Sequence, residues 1–348
     1  MTTTEQPACA TRATRGECGF GLLELLIGIG LTVVILATTM VALNDAGRLS
    51  DAAHALGEMQ HNGRTGLNLM TRDLIQTGQG IPLGGIPVPS GVGVSPIVRP
   101  GPGVLTFPTA SVALPALTPG QALGPLVNGR LTDIVTLLYA DQTLRVEEFP
   151  LAAIAADGST MTVNASTSIT DVDNGIAIGD LILFSNPLGH TIQHVTSLVD
   201  AQTVAFSQTD SMNLNQRSAP AGSIVQLQDT PGSFPTTTAR RILMITYYVD
   251  NADPDSPRLM RIVNDGTPRP VALDVEDLQF TFDLMDGYAN PADVSEPPTG
   301  NSPAQIRKVN LMLATRSREQ NTATGRYQYQ TLRTQVALRS LSFIDRYQ

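Results

Sequence analysis

One carboxylate stands where carboxylates rarely do. Residues 19–34 read GFGLLELLIGIGLTVV, and Glu24 is the only charged side chain between Phe20 and Leu43. An acid in hydrocarbon costs about 3 kcal/mol at a helix centre on insertion scales, so it needs a reason to be there. Other residues could do chemistry in principle. His190 and His194 stand four apart in GHTIQHVTS, a spacing that chelates a metal on a helix. Their neighbours read as β, which breaks that geometry, and no metal site is expected. DVDNG (171–175) has Gly where a calcium loop needs its fifth ligand, and reads as a turn. DNADPDSP (250–257) gathers three Asp and one Asn between two strand-like runs. A solvated hairpin loop is its default reading, with calcium the alternative. His54 and His61 read as exposed or packing residues of a helix. There is no P-loop, HExxH, GxSxG or CxxC, so no enzyme is expected and no cofactor is implied.

The 348 residues have 42% apolar content, enough for a true core, and a formal charge of −9. That balance argues against a chain coated with nucleic acid, and no nucleic-acid partner is expected. Lys308 is the only lysine. The two cysteines, Cys9 and Cys18, precede the apolar run, so a chain lacking that leader has no thiol chemistry. Charge is uneven. Residues 301–348 carry net +6, leaving about −15 on residues 20–300. The basic end reads either as strands paired with acidic strands of the same sheet or as a docking face for an acidic neighbour or DNA, the first being favoured.

The elements that must position these residues follow from periodicity. Residues 20–43 are long and apolar enough to span a bilayer, for which about 20 residues suffice. Arg12 and Arg15 precede the run and Asp45 follows it, which puts the N-terminus in the cytoplasm. From 44 to 77 the pattern turns amphipathic. Leu49, Ala52, Leu56, Met59, Gly63, Leu67, Met70 and Leu74 recur at spacings of three and four. Gly78, Gly80 and Pro82 stop it. One helix over 20–77 is predicted, roughly 87 Å long at about 1.5 Å per residue. Residues 78–130, dense in Pro and Gly, read as a long surface loop with one short strand or helical turn. Residues 131–348 read as a β-rich head, with strands at TDIVTLLYA, GDLILFS, AQTVAFS, RRILMITYYVD, RLMRIVN, VEDLQFTFDL, RKVNLMLATRS and TLRTQVALRS. Short connections such as Asp157-Gly158 and Asp265-Gly266 favour antiparallel pairing. The fold class expected is α+β: a long helix and an antiparallel head wrapped partly around its second half.

Gly19-Phe20-Gly21-Leu22-Leu23-Glu24-Leu25 resembles the processing site of type IV prepilins and of type II secretion pseudopilins. Asn62-Gly63-Arg64, Arg72-Asp73-Leu74 and the order of the later strand-like segments resemble PilW-like minor pilins over most of the chain from Gly19, the Pro/Gly segment excepted. Three features depart from the pattern: the leader is long, Glu17-Cys18 stands where basic residues are usual, and Gly21 replaces Thr or Ser. The resemblance implies a leader (1–19) cut by a prepilin peptidase between Gly19 and Phe20, and N-methylation of Phe20. It implies assembly into a pilus with Glu24 setting register, below the tip subunit. Partners implied are other minor pilins, the major pilin, the inner-membrane assembly platform, membrane lipid and a tip adhesin. It also implies a single-pass inner-membrane location with a periplasmic head, moving to the cell surface on assembly. The alternatives are a J-type pseudopilin of type II secretion and a signal-anchored periplasmic module that never assembles.

Overall fold

The computed structural model describes residues 21–82, 84–108, 112–141, 151–164, 168–170, 175–321 and 325–342. Helix α1 runs Leu22–Gln76, close to the predicted span. The chain divides into a unit ending at His54 and a unit beginning at Ala55. In the first, the helix exposes its large apolar side chains throughout, from Leu22 to Leu49. In the second, the helix buries Met59, Gly63, Gly66, Met70, Asp73 and Leu74, which follow the spacing of three and four that puts side chains on one face.

The head unit is antiparallel, as the short connections predict. Its main strands are β1 (Val135–Ala140), β2 (Leu181–Asn186), β3 (Gly189–His194), β4 (Thr238–Asp250), β5 (Arg258–Val263), β6 (Arg269–Leu273), β7 (Val275–Leu284), β8 (Ile306–Arg316) and β9 (Tyr329–Ala337). Strand β4, thirteen residues rich in β-branched and aromatic types, is the spine of the larger sheet. It pairs with β2, β1 and β5 along successive stretches, in the order β3-β2-β4-β5-β6, with β1 and Leu117–Thr118 alongside. The smaller sheet has the order β7-β8-β9. Alternate residues Leu278, Phe280 and Phe282 of β7 and Val309, Leu311 and Leu313 of β8 enter one core with Met70 and Leu74 of α1 and with Tyr139 and Tyr247 of the larger sheet. A third, four-stranded sheet of short strands closes over a separate core, in which Phe184 and Phe206 meet edge to face at 5.7 Å.

The reading of 78–130 as a long surface loop with one short strand or helical turn is corrected. The segment carries three small ladders (Ile86–Pro87 with Ala113–Leu114, Val98–Arg99 with Leu105–Thr106, Leu126–Val127 with Arg130–Leu131) and the added pair at β1. Several apolar residues between the prolines enter the core: Ile86, Val88, Phe107, Leu114 and Leu117 are buried, while Val92 and Val104 stay exposed. Arg99 fastens the segment to the sheet. Its guanidinium donates to the carbonyls of Thr118 and Pro119, each at 2.9 Å, and to Thr136 Oγ1 at 3.0 Å. Burial pushes this cation down to about 10, a cost met by answering its N–H groups with carbonyls. Backbone polarity and a buried cation therefore hold what pattern alone cannot place.

Candidate functional site

Gly19 and Phe20, expected as the cleavage and methylation positions, lie outside the described residues, as do 171–174. Glu24 is described. It sits in the first turn of α1, where its N–H and that of Leu25 donate to the Gly21 carbonyl at 2.9 and 3.1 Å. α1 is also the one helix among the described residues long and apolar enough to cross a bilayer. Four polar side chains fall between Leu22 and Leu43: Glu24, Thr32, Thr38 and Thr39. Each threonine answers itself inside the helix, Thr38 on Val34 and Ile35, Thr39 on Ile35 and Leu36, and Thr32 on Gly28. Among the described residues the Glu24 carboxylate has no such partner. A helix N-terminus favours an acid by up to about 1 kcal/mol, less than the cost of setting one in hydrocarbon.

Glycine placement separates two parts of the helix. A Cβ on Gly63 would lie 2.9 Å from Leu332, and one on Gly66 would lie 3.0 Å from Ala272 and 3.1 Å from Leu259. These glycines let the strands approach the backbone. Gly28 and Gly30 have nothing within 4 Å.

The most heavily bonded polar group on α1 is Asp73, which is 3% exposed. Its Oδ1 accepts from the Tyr139 hydroxyl at 3.0 Å. Its Oδ2 accepts from the Tyr247 hydroxyl at 2.6 Å and from Arg261 Nε at 2.8 Å. Tyr247 and Arg261 are direct partners across β4 and β5, so the ladder register delivers both donors to one oxygen. Burial, and then the adjacent Asp73 charge, raise both phenols above the ordinary tyrosine range. Burial opposes the Arg261 charge, but the hydrogen bond and attraction of Asp73 outweigh it and raise that group. The arrangement holds no open position for a substrate. It locks helix to sheet. Asp73 was named in the sequence only within a resemblance. The available signal was a carboxylate falling in the rhythm Met59, Gly63, Gly66, Met70, Asp73, Thr77.

His190 and His194 lie on β3, so four residues put them about 13 Å apart, too far to share an ion. His190 Nδ1 meets Ser185 Oγ at 2.9 Å. His194 is buried between two acids, Nε2 3.3 Å from Asp265 and Nδ1 3.9 Å from Asp210. The His194 ring beside it, opposed by partial burial, holds the Asp265 carboxyl below its usual range. In the loop at 250–257, Asp250 and Asp253 accept the N–H groups of Ala252 and Asp255, bracing the turn between β4 and β5. Among the described residues no three His, Cys, Asp or Glu side chains converge as a metal site would require.

The basic end divides. Lys308 faces Asp283 at 3.8 Å across the β7–β8 register, and Arg316 meets Glu276 at 3.0 Å with both side chains buried. Arg318, Arg326, Arg333 and Arg339 are exposed and meet no acid among the described residues.

Searches against protein-family models, curated proteins and solved structures find no match for this chain.

Proposed function

We propose that the chain is a minor pilin that helps to initiate or prime a type IV pilus. The observation that carries this reading is Glu24, the one polar side chain between Leu22 and Leu43 that its own helix leaves unanswered. In the resemblance at Gly19 to Leu25, cleavage turns the Phe20 amide into an α-ammonium. That charge and Glu24 are four residues apart, about 6 Å along a helix. A neighbouring helix displaced axially by a similar distance brings its own ammonium level with Glu24. In hydrocarbon such a pair is directional, and its worth lies in fixing register more than in net stability. Gly28 and Gly30 support the same reading, since close approach of a second helix gives a use to glycines that have no neighbour here. On this account the mature chain is held in the inner membrane with a cytoplasmic N-terminus and a periplasmic head. It joins other minor pilins and the major pilin through the assembly platform.

The test is Glu24→Ala, scored by recovery of the chain in sheared filaments. The variant is expected to be cleaved, exported and stable yet absent from filaments. Recovery equal to the unaltered chain overturns the assembly role and favours a plain signal anchor.

A further inference from the structure

The smaller sheet ends on β9, and among the described residues no strand pairs with its outer side. The ladder to β8 is regular over nine residues, with no bulge, and β9 contains no proline. Its outward groups follow from the two ends. Ser317 N–H donates to the Gln328 carbonyl, and Leu338 N–H donates to the Arg307 carbonyl. Bonding alternates along an antiparallel pair, so the even-numbered residues between them face β8. The N–H and C=O groups of Tyr329, Thr331, Arg333, Gln335 and Ala337 therefore point away, and all five residues are exposed. Proteins usually blunt so long an edge, because it templates a further strand.

Charge selects what can add there. Arg333 stands at the centre of β9, Arg318 and Arg326 precede it and Arg339 follows it, all without an acidic partner among the described residues. A second copy added antiparallel in full register would place Arg333 opposite Arg333, which like-charge repulsion disfavours. On the same face Arg130, Met312, Tyr329 and Arg333 border a shallow groove. Asp277 and Glu276 also line it, and each already faces a cation, Arg130 and Arg316 respectively. We propose that the outer edge of β9 receives an extended acidic segment of a partner protein as an added strand. Main-chain hydrogen bonds supply the affinity, and the arginines with the groove select a strand bearing Asp or Glu at alternate positions. The inference rests on the head alone and does not depend on how the apolar helix is used.

The experiment uses the full chain in lipid nanodiscs and a short fluorescent peptide of alternating Val and Glu, with a Val and Lys counterpart. The acidic peptide is expected to bind, to weaken as salt rises, and to slow amide exchange at Thr331, Arg333 and Gln335. The lysine peptide binds at least about tenfold more weakly. Gln335→Pro removes one outward donor at a position where an edge strand tolerates proline, and weakens the acidic peptide about tenfold, the worth of one hydrogen bond. Arg333→Glu reverses the preference between peptides. Equal binding of both peptides, or acidic-peptide binding that leaves those three amides unprotected, overturns the proposal and leaves the arginines as guards against edge pairing. If Gln335→Pro lowers the unfolding midpoint, exchange protection in the unaltered chain decides.

Discussion

The Asp73 carboxylate accepts the Tyr247 hydroxyl at 2.6 Å, across 174 residues of sequence. That bond, with those from Tyr139 and Arg261, ties the end of the long helix to the spine of the larger sheet. The packed core of the head therefore includes the turns of α1 just before Gln76.

Replacing Asp73 by Ala leaves a partly buried guanidinium and two buried hydroxyls unanswered. A loss of about 3 kcal/mol is expected, since breaking a buried pair strands the surviving charge. Denaturant unfolding of the detergent-solubilised chain measures it. Tyr139→Phe removes one neutral donor and is expected to cost about 1 kcal/mol.

The same clamp sets an alkaline limit. Both phenols titrate above their ordinary value in the fold, while unfolded tyrosines ionise near pH 10. The fold holds their protons more tightly, so this contribution is full below about pH 10 and is lost as pH rises beyond it. The unfolding midpoint should fall above that point, and fall less steeply in Tyr247→Phe. A midpoint indifferent to pH in that range would count against the clamp.

Glycines on one helix should respond with opposite sign. Gly66→Val drives a side chain into Ala272 and Leu259 and is expected to cost about 1–3 kcal/mol. Gly57→Ala, on an exposed face with nothing within 4 Å, should gain up to about 1 kcal/mol. Thermal unfolding of the two variants side by side checks the contrast.

Gly222 holds the Pro/Gly segment in place. It has φ +73°, and a Cβ there would lie 2.0 Å from the Val88 carbonyl oxygen. Gly222→Ala should cost about 3 kcal/mol through strain and contact together. Faster exchange of the Ser90 amide, which donates to Ala221, would localise the damage.

The long helix and the strongly alternating strands β7 and β8 were legible because each has a single dominant period. Strand β3 is not legible as a strand, although its β-like neighbours exclude a helix, because its polar Thr191 and Gln193 mask the alternation. The ladders around Ile86 and Val98 were missed because two-residue strands carry no period. The clamp was missed because its four members come from α1, β1, β4 and β5, and only the sheet register brings them together. The edge at β9 was half legible: its net charge could be counted, but which arginines lacked partners could not.

The most direct test of the central claim is the intact mass of the chain extracted from membranes. A chain that begins at Phe20 and carries one added methyl group is the predicted result. A chain retaining residues 1–19, or cut elsewhere, would contradict it, because Glu24 would then have no α-ammonium at the required distance to meet.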